Sequence, residues 1–124
     1  HPDLLALERQ YDDEKGRFRD LIDVDQVRKV PSFMQMTPSM GGWRVVIIDD
    51  ADTMNRNAQN ALLKVLEEPP KNAILILIAH RIGALIPTIR SRARVFSFQT
   101  PSRDDFNDLL KRAHPSITRL DMDA

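Results

Sequence analysis

The stretch from Trp43 to Pro70 constrains the fold more than any other part of the chain. It starts with a continuous apolar run, Val45 to Ile48, which lacks the polar alternation of a half-exposed strand. Such a run predicts a strand buried on both faces, as in parallel sheets covered by helices. Three acids follow directly: Asp49, Asp50 and Asp52. Open α/β sheets bind ligands at the carboxyl ends of their strands, so these acids predict a place for magnesium or an ordered water.

An amphipathic helix is predicted immediately after these acids. Asn55 or Asn57 can cap its start. Apolar residues then recur at helical spacing and form one face: Ala58, Ala61, Leu62, Val65 and Leu66. Pro69-Pro70 ends the helix, because a residue that precedes proline is pushed out of the α region. A second apolar run, Ala73 to Ala79, predicts another buried strand beside the first.

Shorter elements surround this unit. They are a strand at Leu4–Leu7, a weakly extended segment at Phe18–Ile22, a helical pattern from Val24 to Met34, a short helix at Ile82–Ile89, a strand at Val95–Phe98, and a helix at Ser102–Ala113 with Ser102 as its N-cap. Pro31 should kink the helical pattern from Val24 to Met34 if it lies in the helix interior. Strands alternating with helices predict an α/β fold with a mostly parallel sheet and flanking helices.

Composition narrows the classes of protein without selecting one. The 124 residues suit one compact domain, and a formal net charge of +0 gives no global attraction to nucleic acid. No apolar run approaches the roughly 20 residues that span a bilayer, so no membrane partner is expected. The absence of cysteine excludes disulfides and Cys-based zinc sites from this segment. Because the chain opens on His1-Pro2-Asp3 without methionine, we expect an interior fragment.

Four segments carry a family resemblance. Asn60 to Pro70 reads N-A-L-L-K-V-L-E-E-P-P, and with the acidic strand end before it this segment resembles the clamp-loader branch of the AAA+ ATPases. His1 to Asp3, Ile22 to Arg28 and Thr88 to Ala93 are similar to the delta-prime group of bacterial DNA polymerase III clamp-loader subunits. No G-x-x-x-x-G-K-[ST] occurs. The resemblance therefore implies that residues 1–124 form the second half of an AAA+ domain, from the Walker B-like strand to the sensor and arginine-finger region, with the phosphate-binding loop not included.

The resemblance also implies roles for six residues. Asp49 and Asp50 would be the Walker B-like nucleotide acids, Ala79 the sensor position, Arg92 an arginine finger supplied in trans, and Arg28 and Arg56 DNA-facing residues. Asp50 stands where ATP-hydrolysing relatives carry a longer glutamate, and Ala79 has no polar group. We therefore predict that the fragment alone is not an enzyme, holds no metal and does not bind ATP. ATP and magnesium would be cofactors of the intact complex.

The implied function is DNA replication. A delta-prime-type subunit would be a rigid stator in the complex that loads the sliding clamp onto primed DNA for DNA polymerase III, a nucleotidyltransferase holoenzyme. Partners would be tau/gamma and delta subunits, the clamp and primed DNA, in the cytoplasm. Two rivals remain open: a receiver-like phospho-acceptor domain, and a magnesium-dependent nuclease using the three acids. Arg92, Arg28 and Arg56 could equally be ordinary solvated or ion-paired surface arginines.

Overall fold

The structure is a computed structural model that describes residues 1–38, 41–99 and 101–113. It divides into two compact units, His1–Arg94 and Val95–Ala124. The first unit is built on a parallel sheet of three strands in the order β1 (Leu4–Leu7), β4 (Arg44–Ile48) and β5 (Ala73–Leu77). The predicted parallel pairing of the two apolar strands is confirmed, because Ile48 is in register with Leu77 on one side and with Leu7 on the other.

Between β1 and β4 the chain forms a small hairpin and two helices. The hairpin pairs β2 (Tyr11–Asp12) with β3 (Arg17–Phe18), and the Tyr11 and Phe18 rings meet edge to face at 5.3 Å between centroids. The segment predicted here as weakly extended, Phe18–Ile22, begins in β3 and ends at the bridged residue Ile22. The hairpin itself was not predicted, because strands of two residues are too short to give a periodic pattern.

The helical pattern from Val24 to Met34 is divided into α1 (Val24–Val27) and α2 (Lys29–Gln35). Asp23 and Gln26 form a capping box at the start of α1, with each side chain bonded to the other's backbone N–H. Since α2 begins at Lys29, Pro31 lies in its first turn, where the missing N–H does no harm. Pro31 therefore does not kink a helix interior.

The long helix after the acids is α3 (Arg56–Glu67). Asn55 is its N-cap and accepts a hydrogen bond from the Ala58 N–H at 2.8 Å, which decides between the two predicted caps. A parallel bridge joins Ile22 to Met54 just before α1 and α3 begin. The N-termini of these two helices are thereby fixed beside each other.

Burial differs between the two faces of the sheet. The face that includes Leu7, Val46 and Ile48 packs against the helices, and its core continues into Val27, Val30, Met34, Ala58, Leu62 and Val65. The opposite face, here called the open face, follows from strand alternation and register; it carries Leu4, Ala6, Val45, Ile47, Ile74 and Ile76. Ile74 and Ile76 are each 43% exposed. The prediction that both apolar strands are buried on both faces was therefore wrong, because no described helix of the first unit covers the open face.

A buried arginine ties the start of the chain to this sheet. Arg44 is 4% exposed and donates hydrogen bonds to three carbonyl oxygens: those of Met36 (2.8 Å), Thr37 (2.8 Å) and Pro2 (3.2 Å). Its Nη2 lies 3.6 Å from Asp3 Oδ1, and its guanidinium carbon lies 4.6 Å from the centre of the Phe33 ring. Each guanidinium nitrogen thus has an acceptor.

The remaining elements follow β5. A 3-10 helix spans Ile82–Ala84, α4 spans Pro87–Arg92 and, in the second unit, α5 spans Arg103–Ala113. Ser102 accepts a hydrogen bond from the Asp105 N–H at 3.2 Å, which confirms the predicted N-cap of α5. The strand predicted at Val95–Phe98 is not formed. Three of its four residues are apolar, but a strand also needs a partner strand, and no described strand pairs with it. None of the helices within the described ranges is long and apolar enough to cross a membrane.

Candidate functional site at the carboxyl edge of the sheet

Three loops meet where the parallel strands end. The Asp49 N–H donates to the Leu7 carbonyl at 2.8 Å, and the Ile78 N–H donates to the Ile48 carbonyl at 3.0 Å. The hydrogen bonding between strands therefore extends one residue past the ends of β4 and β5. Because parallel strands point the same way, the residues that follow each one collect at one edge. This edge carries Arg9 after β1, Asp49 and Asp50 after β4, and His80 after β5.

Asp50 lies at the centre of this group. The Arg9 Nε donates to Asp50 Oδ2 at 3.3 Å, and His80 Nε2 lies 3.2 Å from Asp50 Oδ1. Asp50 has a left-handed backbone, with φ 51° and ψ 42°, which aspartate tolerates better than most residues. Two short bonds hold that turn: Asp49 Oδ1 accepts the Asp50 N–H at 2.8 Å, and Thr53 Oγ1 donates to the Asp50 carbonyl at 2.7 Å.

The group resembles a metal site in composition but not in electrostatics. One atom each from Asp49, Asp50 and His80 lie within 4.8 Å of one another. Magnesium prefers oxygen ligands and retains several waters. Here a guanidinium occupies one Asp50 oxygen and an imidazole contacts the other. Both carboxylate oxygens of Asp50 are therefore already in contact with side chains of this chain.

Ala79, at the predicted sensor position, makes no polar side-chain contact. Ala79 is half-buried and packs against the core, where a methyl group makes no hydrogen bond. The polar contact comes from His80, one residue further along, which reaches Asp50 although its side chain is 71% exposed.

Asp52 takes a different position from the other two acids. It is buried, and its Oδ2 accepts the Arg81 N–H at 3.2 Å. This bond links the turn after β4 to the loop after β5. Asp52 is not part of the Asp49, Asp50 and His80 group. The three acids therefore do not converge on one point, as the nuclease alternative required.

The predicted finger residue lies on a well-anchored short helix. Pro87 is at the first position of α4, where its fixed φ favours helix initiation. Leu85 and Ile89 are buried, and α4 packs on α3. Gln59 of α3 completes the attachment: its Nε2 donates to the Ala84 carbonyl at 3.1 Å and its Oε1 accepts the Ile86 N–H at 2.7 Å.

Arg92 is the last residue of α4, rather than part of a loop after a helix as the sequence suggested. Its side chain is 44% exposed, and its Nη2 lies 3.2 Å from Oε1 of Glu67, the last residue of α3. Arg90, two residues earlier, is exposed and forms no ion pair with the described part of the chain. Arg92 is thus both accessible and held by one carboxylate.

The two predicted DNA-facing arginines lie near the adjacent starts of α1 and α3. Arg28 separates α1 from α2, and its Nη1 pairs with Asp25 Oδ1 at 2.9 Å in a fully solvated setting. Arg56 is the exposed first residue of α3. The parallel bridge between Ile22 and Met54 brings the two helix starts together. Arg28 and Arg56 remain predictions as DNA contacts.

Two residues that shape this region were not predicted from the sequence. Arg9 was not singled out, yet it supplies the cation beside Asp50. Gln59 was overlooked among the polar residues of α3, yet it is buried and joins α3 to α4. A signal for Gln59 was available, because it follows Asn55 by four residues and precedes Leu62 by three on the same helix face. Arg9 gave no such signal.

Comparisons with known proteins place this arrangement in a family. A family model described as DNA polymerase III, delta subunit, matches residues 1–102. The chain belongs to this family. A DNA polymerase III subunit delta' of Pseudomonas aeruginosa is 40% identical over 115 residues, which cover 93% of this chain and 33% of that protein. The Escherichia coli subunit delta' is 37% identical over 101 residues, covering 82% and 28%. The resemblance to delta-prime subunits is therefore confirmed, and the chain spans about a third of the length of these relatives.

Solved structures agree on the fold. A gamma subunit-related DNA polymerase III protein from Thermotoga maritima is 33% identical, with a TM-score of 0.71, and the match covers 90% of this chain and 34% of that one. A RuvB mutant from the same organism gives a TM-score of 0.59 at 14% identity, which supports the fold alone. The predicted AAA+ class, a parallel α/β sheet with flanking helices, is confirmed. Neither the receiver-like domain nor the nuclease is favoured by these matches.

Proposed function

We propose that the chain is the second half of the AAA+ domain of a delta-prime-type clamp-loader subunit. In the whole protein, this domain serves DNA replication by helping to load the sliding clamp onto primed DNA for DNA polymerase III in the cytoplasm. Its partners are an ATPase neighbour of the tau/gamma type and a delta subunit. The family match over residues 1–102 and the relatives named delta', gamma and tau support this role.

The observation that carries the proposal is a contrast between two charged sites on the same unit. Asp50, the acid that would serve a nucleotide bound by this chain, already contacts Arg9 and His80. Arg92 is accessible at the end of a helix fixed by buried Leu85 and Ile89. The chain is thus poorly equipped to hydrolyse ATP itself and well equipped to present a cation to a nucleotide on another subunit.

The chemistry of such a cation is electrostatic. Negative charge on the γ-phosphoryl oxygens must be stabilised as phosphoryl transfer proceeds, and a fixed guanidinium does so without reorganising. Arginine also grips two phosphate oxygens with parallel N–H groups, which lysine cannot do. ATP and magnesium belong to the neighbour's site in this scheme. Arg92 of this chain completes that site from the adjacent subunit.

DNA contact is the less supported half of the proposal. Arg28 and Arg56 are exposed and lie near adjacent helix starts, and a helix N-terminus attracts phosphate. Because the chain carries no net positive charge, these local cations would have to supply any attraction to the DNA backbone. Their role is to align the subunit on DNA rather than to read its sequence.

The test is the ATPase of a clamp loader reconstituted with the full-length subunit carrying Arg92→Ala. An arginine finger is worth about 10³-fold or more at its own site. The measured loss should be smaller, since one of several ATP sites would be affected. Arg92→Lys should recover only part of the activity because it lacks the planar fork. Assembly should be unchanged, because a surface ion pair contributes about 1 kcal/mol or less.

Arg90→Ala is the matched control, because Arg90 is an exposed arginine on the same helix. It should leave both ATPase and clamp loading at the wild-type rate. If Arg92→Ala behaves like Arg90→Ala, Arg92 is a surface charge and the finger assignment is wrong. Loss of subunit assembly in Arg92→Ala would also contradict the proposal, since the residue would then act through structure.

A further inference from the structure

The Arg92 side chain forms an ion pair with Glu67 of α3. We propose that Glu67 is a positioning residue: its carboxylate holds the Arg92 guanidinium in the orientation that receives the neighbour's γ-phosphate, and it stays bound while the phosphate is gripped. The inference rests on the proposed finger role of Arg92. It adds a second residue, on a different helix, to the machinery that would act in trans.

The contact geometry leaves room for a phosphate. Glu67 Oε1 meets Arg92 at a single nitrogen, Nη2, at 3.2 Å. A guanidinium has five N–H groups that form two bidentate edges. One carboxylate oxygen on one nitrogen uses at most one of these edges, so the other can still make two parallel hydrogen bonds to phosphate oxygens. Glu67 therefore restrains one nitrogen of the group and leaves one edge open.

The placement of the two residues suits such a support. Arg92 ends α4 and Glu67 ends α3, and these helices are tied together by Gln59. The carboxylate is thus attached to the same rigid body as the arginine. An arginine has several rotatable bonds, and restraining its far end reduces the conformational freedom that binding would otherwise remove.

Glu67 is not explained by the stability of α3. It occupies the last turn, where the helix macrodipole presents negative charge and an acidic side chain is unfavourable. Its neighbour Glu68 is also exposed and forms no ion pair within the described residues. Removing the charge from Glu67 should consequently leave folding intact or slightly improved. A loss of activity could not then be attributed to unfolding.

The experiment measures steady-state ATP hydrolysis by the reconstituted complex carrying Glu67→Gln, with Glu68→Gln as the matched control. At the ATP site that Arg92 serves, Glu67→Gln should lower the rate of hydrolysis by about two- to five-fold, the range that a surface ion pair supports, with KM for ATP unchanged. The kcat of the whole complex should fall by less, since one of several ATP sites is affected. Glu68→Gln should have no effect. In an Arg92→Ala background, Glu67→Gln should cause no further loss, because the group it positions is absent.

Two results would overturn the inference alone. One is a kcat for Glu67→Gln equal to that of Glu68→Gln while Arg92→Ala remains slow. The other is an equal loss from Glu67→Gln with and without Arg92, which would mean that the glutamate acts elsewhere. If Arg92→Ala itself hydrolyses ATP at the wild-type rate, the proposed function fails first and the positioning role fails with it.

Discussion

Replacement of Arg44 should test how much of the stability of the first unit depends on one buried cation. Arg44→Met keeps most of the apolar volume but removes the donors to the Met36, Thr37 and Pro2 carbonyl oxygens. It also removes the positive charge near Asp3, whose side chain is only 5% exposed. The buried carboxylate then faces a neutral thioether.

The expected cost follows from these contacts. Breaking a buried ion pair by removing one partner costs about 3–5 kcal/mol, because the remaining charge stays buried. The lost hydrogen bonds to carbonyls and the stacking on Phe33 overlap with this figure rather than adding to it. Total stabilities of small domains are about 5–15 kcal/mol, so Arg44→Met should remove a large share. For a unit of this size, the midpoint of thermal unfolding should fall by about 12 °C or more.

Urea unfolding followed by the fluorescence of Trp43, the neighbour of Arg44, measures this loss directly. Arg90→Met is the matched control: the chemical change is the same, but Arg90 is exposed, so stability should change by less than about 0.5 kcal/mol. Arg44→Lys should recover less than half of the loss, because one ammonium cannot reach acceptors bonded by three different nitrogens. An Arg44→Met chain within about 1 kcal/mol of the parent would refute the reasoning.

Three further outcomes are expected. Calorimetric titration of the 124-residue chain with magnesium-ATP should give no heat of binding, since Asp50 is occupied by Arg9 and His80 and no phosphate-binding motif is present; micromolar binding would contradict this. The chain should self-associate through the apolar open face, as measured by light scattering. Ile76→Lys should reduce this association, whereas Ile82→Lys, at an exposed isoleucine outside that face, should not. A strictly monomeric chain at high concentration would count against the prediction. Gln59→Met should destabilise the unit by about 2–4 kcal/mol in urea unfolding, because it strands the Ala84 carbonyl and the Ile86 N–H; a change under about 0.5 kcal/mol would show that these bonds are dispensable.

The hydrophobic pattern of the sequence predicted the elements that depend on interactions between residues close together in the chain. The run Val45 to Ile48 and the period of α3 are properties of adjacent residues, and the caps at Asn55 and Ser102 act within one turn. Their partners were also predictable, since two apolar strands flanking a helix pair in parallel by a right-handed crossover. The pattern likewise placed both acids at the carboxyl edge.

What the pattern did not predict depends on residues far apart in the chain. Apolar composition predicted burial of Ile74 and Ile76, but burial requires a covering layer, and the core of the first unit lies on the other face of the sheet. The same limit explains Val95–Phe98, which has strand composition but pairs with no strand among the described residues. Arg9 contacts Asp50 across 41 positions. Parallel register makes such a contact possible, but side-chain rotamers and the left-handed turn at Asp50 decide whether it forms.

The two charged contacts at the ends of this unit have opposite consequences although both are ion pairs. At Asp50, a guanidinium and an imidazole already contact the two carboxylate oxygens, so a cation that binds there would have to displace one of them. At Arg92, a single carboxylate oxygen contacts one nitrogen of a group with five donors, so a phosphate can bind without displacing anything. A subunit that acts on a nucleotide held by its neighbour needs an accessible guanidinium. It does not need a free acid of its own. The ATPase rates of complexes carrying Arg92→Ala or Glu67→Gln test this hypothesis. If both contacts are ordinary surface ion pairs, neither substitution should change the rate.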